Sequence, residues 1–184
     1  GLEGLRAFKL QGCQSTPGEV MELSYVRRLF EYHHWAADKL FEALGDVRAA
    51  ELDKPWGGSF KTARALLRHI VGAELLWLER FGGTSPKALP EFPGTYSGAD
   101  YLEEWRKVKA REQEYVGGLD AAKLAGTLAY TNMKGENHRF PLADVLTHVV
   151  NHGTYHRGQL SHLLRDLGRP GISTDYVAWM AVRK

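Results

Sequence analysis

Residues Val145–Leu167 have the sequence VLTHVVNHGTYHRGQLSHLLRDL, one helical pattern that contains four of the eight histidines of the chain. Five apolar positions mark one stripe of this predicted helix: Val145, Val149, Leu160, Leu163 and Leu167. With about 100° of rotation per residue, His152 and His156 lie within or beside the stripe. His148 lies at its margin, and His162 lies on the solvent side. The helix therefore turns one pair of histidines toward the interior of the fold.

The spacing of this inward pair suits a metal site. Two imidazoles four residues apart are neighbours on a helix, with about 5–6 Å between their Cβ atoms, and can bind one ion together. A His-x-x-x-His spacing alone is a weak signal, because a helix of this length can carry it by chance. The inward phase of His152 and His156 strengthens the prediction of a metal ion inside the fold.

The rest of the chain predicts an all-α four-helix bundle. Apolar periodicity indicates helices at residues 22–44, 61–81 and 99–119 before the one at 141–167, and a short helix at 175–182. Ser59 is the predicted cap of the second helix, Ser97 with Asp100 resembles a capping box, and Pro141 is predicted to start the fourth. Residues 128–131 and 137–140 are compatible with strands, which predicts a small hairpin or extended loop before the last long helix.

Composition restricts the class of protein. The 184 residues suffice for one core, and we expect a single domain at residues 21–184 after an N-terminal extension at 1–20, because the chain begins with Gly and Met21 could be its natural start. A net charge of +2 without a basic stripe argues against nucleic acid as a partner. No apolar run is long enough to span a membrane, and the single cysteine, Cys13, fits a reducing cytoplasm.

A third histidine could complete the site. His69 lies beside the apolar stripe of the second predicted helix, and it would join His152 and His156 if that helix faces the fourth. Three neutral imidazoles leave coordination positions open, as in reactive sites. An ion there could lower the pKa of water to about 7 or hold a thiol as thiolate. Gln159 lies on the same side of the helix as His152 and could support the ligands or meet substrate.

Other interpretations of the polar residues stay open at this point. His69 could be a core histidine with a hydroxyl or carbonyl partner, and the whole bundle could lack metal. His33 and His34 flank the apolar face of the first helix and are predicted to lie at its boundary. The charged residues of the third helix are predicted to form a solvated face without a metal ligand. Arg157 is predicted to contact another element or subunit, and Tyr155 could reach the pocket.

The fourth helix resembles a known family. The run from His148 to Gln159, with the HxxxHRGQ element, followed by Leu164–Gly168, is similar to the signature of the DinB family of metal-binding four-helix bundles. Supporting matches are Ser59-Phe60, His69 with Ala73-Glu74, Tyr32–Ala36 and Asp175-Tyr176. The likeness covers the chain from Met21 to about Met180. Tyr155 stands where many members have another histidine, which leaves the three ligand positions intact.

The resemblance implies a divalent ion, often nickel or zinc, bound by His69, His152 and His156, and commonly a homodimer. Iron, manganese and copper stay open as alternatives. Some relatives are similar to transferases that attach low-molecular-weight thiols such as bacillithiol to electrophiles, and more distant ones to mycothiol-dependent isomerases. We therefore expect a metal-dependent thiol S-transferase acting on a small molecule. The alternatives are a metal-dependent hydrolase and a non-catalytic metal- or ligand-binding stress-response protein. A di-iron carrier is disfavoured because Glu31 and His34 form the single Glu-x-x-His on a predicted helix.

Overall fold

Four long helices form a bundle in the computed structural model, which describes residues 22–183. In chain order the elements are α1 Leu23–Leu44, α2 Ala49–Leu52, α3 Ala63–Phe81, α4 Gly98–Gly117, α5 Ala121–Leu124, β1 Thr127–Thr131, β2 Asn137–Pro141, α6 Leu142–Asp166 and α7 Tyr176–Val182. The predicted bundle with its small hairpin is confirmed. The extension at 1–20, with Cys13, and Met21 lie outside the described residues. None of the described helices has the length and apolarity needed to cross a bilayer.

The core consists of two apolar halves along the bundle axis. In one half Phe41 of α1 stacks on Trp105 of α4 with ring centroids 5.4 Å apart. The other half contains Phe30, Val149 and Trp179. Near the boundary between the halves, the four long helices contribute buried polar side chains, which we call the polar layer: His33, His34, Glu74, Glu112 and Arg157. The functional residues described below lie at this level of the bundle.

The start of α3 differs from the prediction. Thr62, and not Ser59, is the N-cap, and its hydroxyl accepts a hydrogen bond from the backbone N–H of Ala65 at 3.2 Å. The preceding residues form a bent loop, which is closed by an antiparallel bridge between Pro55 and Thr62 and by a hydrogen bond of 2.9 Å from the backbone N–H of Trp56 to the Lys61 carbonyl. This pairing delays the helix by two residues and leaves Ser59 and Phe60 in a loop.

The hairpin leads directly into α6. Thr127 lies opposite Pro141 in the β1–β2 register, and the ψ angle of 133° at Pro141 is that of extended backbone. Pro141 is therefore the last strand residue, and the prediction that it begins the helix was wrong by one position. Gly168, with φ 72°, follows α6 in the left-handed conformation that glycine adopts most easily, as expected for a helix stop.

The two capping candidates provide a test of how α3 begins. Replacing Thr62 with Ala removes the observed cap and should lower the free energy of unfolding by about 1 kcal/mol. Ser59→Ala should change it by less than about 0.5 kcal/mol, because Ser59 caps no helix. Urea unfolding of both variants would measure the difference, and equal losses would contradict the assignment of the cap.

Candidate metal centre

Three imidazole nitrogens meet between α3 and α6. The Nε2 atom of His69 lies 3.3 Å from that of His152 and 3.0 Å from that of His156, and the latter two are 3.0 Å apart. His69 comes from the middle of α3, and the other two are one turn apart on the facing side of α6. The structure thus brings together the three residues that the sequence analysis singled out.

A carboxamide fixes the orientation of one ring. The Oε1 atom of Gln159 lies 2.7 Å from Nδ1 of His156, so it accepts the proton on that nitrogen and leaves Nε2 with a free lone pair. The Nε2 atom of Gln159 donates in turn to the Ser59 hydroxyl at 3.4 Å. Gln159 therefore connects the loop before α3 with α6 and contacts one of the three histidines.

The three rings are neutral near pH 7. Burial, and next the charge of His156, lowers the pKa of His69. Burial lowers the pKa of His152 to about 4, with a further contribution from His156. Burial also lowers the pKa of His156, although the hydrogen bond to Gln159 acts in the opposite direction. Neutral imidazole is the form that binds a metal ion.

The spacing of the nitrogens fits a bound ion. Metal–nitrogen bonds of about 2.0–2.1 Å place two ligand nitrogens about 2.9 Å apart at a right angle and about 3.4 Å apart at the tetrahedral angle. The observed separations of 3.0 to 3.3 Å fall within this interval. The residues present therefore fit a divalent ion, and imidazole ligands suit zinc, nickel, copper and iron alike.

One side of the cluster faces a partly open mouth. His69 and His152 are half-buried, whereas His156 is 5% exposed. The ring of Phe60 lies 5.1 Å from that of His69, and Tyr155, which is 64% exposed, contacts His156 with its ring at 5.0 Å. Tyr155 thus lies at the rim of the site, so a small molecule could approach the three nitrogens between two aromatic side chains.

The polar layer corrects two predictions. His33 and His34 do not lie at the edge of the apolar face of α1, contrary to the prediction. They are 1% and 5% exposed and face other helices. Glu112 of α4 is 2% exposed, so that helix presents more than a solvated face. Its Oε2 atom lies 2.8 Å from Nε2 of His34. Glu74 of α3 lies 3.4 Å from Nε2 of His33.

The charges of the layer balance. Burial, and next the neighbouring Glu74, raises the pKa of Glu112 well above its ordinary value. For Glu74 burial acts to raise the pKa, but the interactions with His33, and next those with Glu112 and His152, together outweigh it. Burial lowers the pKa of His34 to about 3. At neutral pH Glu112 is therefore a carboxylic acid, whereas Glu74 is a carboxylate in the same layer as the Arg157 guanidinium, in keeping with the rule that buried charges are paired.

His33, Glu74 and Glu112 are a second group of potential metal ligands. However, Nη1 of Arg157 lies 2.8 Å from Nδ1 of His33, and a guanidinium can only donate. The proton of the His33 ring must then be on Nε2, the atom that faces the two carboxyl groups. A protonated nitrogen cannot bind a metal, so this contact argues against a second metal site at this group. Among the described residues, Nε2 of His33 has no hydrogen-bond partner and approaches Glu74 and Glu112 only at 3.4 and 3.9 Å. Arg157 contacts another element, α1, as predicted.

Gly153 lets the polar layer approach α6. A Cβ atom at this position would lie 2.8 Å from Nδ1 of His33 and 2.9 Å from Nη1 of Arg157. Gly153 also lies between His152 and His156 in the chain. The missing side chain therefore makes room for the His33–Arg157 contact next to the three-histidine cluster.

The sequence model of the DinB family matches residues 19–183. The chain belongs to the DinB family. Protein DinB of Bacillus subtilis (strain 168) is 29% identical over 165 residues, which covers 87% of this chain and 96% of that protein. The family predicted from the HxxxHRGQ element is thereby confirmed.

Two solved structures share the fold of this DinB-family protein. A DinB-like protein from Bacillus cereus ATCC 10987 superimposes with a TM-score of 0.66 at 19% identity, covering 82% of this chain and 95% of the other. YfiT from Bacillus subtilis gives a TM-score of 0.63 at 15% identity, covering 84% and 94%. YfiT is described as a probable metal-dependent hydrolase with an unusual four-helix bundle topology. At these identities the likeness shows the fold alone.

Two glycines of α6 provide a matched test of the close approach of His33 and Arg157 to Gly153. Gly153→Ala should lower the free energy of unfolding by about 1–3 kcal/mol, because its Cβ overlaps His33 and Arg157. Gly158→Ala meets nothing within 4 Å and should raise that free energy by about 0.5–1 kcal/mol, as expected for alanine in a helix. Guanidinium unfolding would separate them, and a stabilised Gly153→Ala would refute the close approach.

Proposed function

We propose that this DinB-family protein is a metal-dependent enzyme in which His69, His152 and His156 bind a divalent ion, nickel or zinc, and in which a low-molecular-weight thiol is transferred to an electrophilic substrate. The observation that carries the proposal is the convergence of three neutral ring nitrogens at 3.0 to 3.3 Å beside a partly open mouth. When bound, such an ion supplies a Lewis acid that lowers the pKa of a thiol or of water.

The side chains around the ion have separate tasks in this proposal. Gln159 holds the His156 ring with Nε2 toward the ion, so that no proton competes for that position. Phe60 and Tyr155 flank the mouth and limit the access of water to the reacting atoms. In the transfer, the thiolate sulfur forms a bond to carbon, the leaving group departs with its bonding electrons, and the thiol proton is released to solvent.

A hydrolase is the second candidate. It is supported by the fold shared with YfiT, which is described as a probable metal-dependent hydrolase. Water then replaces the thiol as nucleophile at the same three histidines. A third version, in which the ion ties α3 to α6 without catalysis, is supported by the fact that the ligands come from both helices.

The metal site is tested by elemental analysis of the purified protein. His156→Ala should lose most of the bound metal, because two nitrogens remain of three. His162→Ala is the matched control: His162 lies on the same helix, is exposed, and pairs with Asp166 at 3.6 Å. It should keep the wild-type metal content. Equal metal in the wild type and both variants would rule out these ligands.

The reaction is tested by incubating the nickel- or zinc-loaded protein with bacillithiol-type thiols and a halogenated or epoxide substrate. We expect conjugation that follows the metal content, is lost in His156→Ala and is retained in His162→Ala. Turnover of an ester or amide without thiol would support the hydrolase instead. No turnover, together with a large fall in Tm on chelation, would overturn the transferase and support the structural ion.

A further inference from the structure

A pocket lined by aromatic side chains adjoins the three-histidine cluster. Its volume is about 330 Å³, and we call it the hairpin pocket because β1 and β2 contribute to it together with α3 and α6. Its lining residues are Trp77, Tyr130, Phe140, Asp144, Val145 and His148. The volume is in the range of small-molecule sites, at the lower end.

The hairpin pocket and the metal centre share one groove between α3 and α6. On α6, Asp144, His148 and His152 follow one another at four-residue spacing and therefore lie on one face of the helix. The ring of His148 lies 5.9 Å from that of His152 and 5.3 Å from that of Trp77. His148 thus borders both the cluster and the pocket, and one molecule of moderate length could reach into both.

The groups around the pocket favour an uncharged occupant. Asp144 is the one carboxylate of the lining, and it is exposed, so water screens its interaction with an ionic ligand. On the other side, Arg80 is 5% exposed, and its Cζ atom lies 4.5 Å from the ring centroid of Trp77 and 4.3 Å from that of Tyr130. This guanidinium already contacts two of the rings and does not line the pocket, so it offers an anion no direct partner.

The size of the pocket suits a ring system. A cavity of about 150 Å³ lined by apolar side chains accommodates benzene. The hairpin pocket is about twice as large, and aromatic rings prefer to pack against other rings with centroids about 4.5–7 Å apart. A two-ring aromatic group or an aliphatic group of similar volume would fill it.

We infer that the hairpin pocket binds the uncharged aromatic or aliphatic body of the substrate, while the reactive group of that substrate lies at His69, His152 and His156. The inference rests on the proposed function in calling the ligand a substrate, whereas the pocket itself can be tested by binding alone. It predicts that the electrophile or ester taken by this protein has a bulky apolar part.

Three compounds that share the indole ring but differ in charge test the charge preference of the pocket. Indole is uncharged, tryptamine is a cation, and indole-3-acetate is an anion. Titrations of ¹⁵N-labelled, metal-loaded protein are followed by NMR at the Trp77 indole N–H. We expect indole to shift this signal and to bind at least as tightly as the two ions. Tighter binding of tryptamine or of indole-3-acetate would overturn the uncharged class.

Two exposed aromatic residues give a variant and its control. Phe140 is 44% exposed, so Phe140→Ala should fold normally, and it should weaken indole binding about fivefold to tenfold because one ring contact is lost. Tyr25→Ala, on α1 and outside the pocket, should leave the Kd unchanged. Unfolding midpoints check that both variants are folded. No shift at Trp77, or an unchanged Kd in Phe140→Ala, would overturn the inference.

The same titration on His156→Ala separates the two proposals. Indole should still bind to this variant, because His156 does not line the pocket. If indole binding persists while no thiol or ester is turned over, the proposed function fails and the pocket stands. If turnover is observed but Phe140→Ala affects neither indole binding nor the KM for a bulky substrate, the pocket inference fails and the function stands.

Discussion

The contact between Arg157 and His33 is the constraint on which the centre of the bundle depends. A guanidinium 3% exposed must have partners, since a buried and unpaired charge destabilises a fold by several kcal/mol. Arg157 donates to His33 on α1 and to Thr154 on its own helix. The donation to His33 decides which ring nitrogen carries the proton, and that proton then faces Glu74 and Glu112. One arginine thereby fixes the tautomer of a histidine that faces carboxyl groups of two other helices.

The polar layer and the three-histidine cluster lie on neighbouring faces of the same stretch of α6, because Gly153 and Arg157 each follow a cluster histidine by one residue, about 100° around the helix. Gly153 permits the close approach on one face, and His152 and His156 project from the other. Because the layer fixes the rotation of α6 against α1, the His152 and His156 rings are held at a set angle toward α3. A site of this kind needs rigid support, since ligand positions must be accurate to about 0.5 Å.

Much of this arrangement could be predicted from the sequence. Helical periodicity located the four long helices, and strand-compatible runs located the hairpin. The inward phase of His152 and His156, with His69 on the second helix, identified the three rings that meet. The polar layer could not be predicted in the same way, because charged residues were assigned to solvent by default. A signal was present nonetheless: Glu112 follows Val108 and precedes Val116 at four-residue spacing, so it lies on the buried stripe of α4. Burial is the main cause of its raised pKa, and the second is Glu74, a neighbour from another helix; no single-helix pattern reveals such a pair.

The contacts of the polar layer and of the three-histidine cluster join distant parts of the chain. His34 and Glu112 are separated by 78 residues, His33 and Arg157 by 124, and His69 and His152 by 83. Contacts of this range form only after long stretches of chain have been brought together, at an entropic cost that local helix formation does not carry. Partial opening of any one helix would leave buried polar groups on the other helices without their partners. The middle of the bundle should therefore open and close as one cooperative unit, even where the ends of individual helices fray.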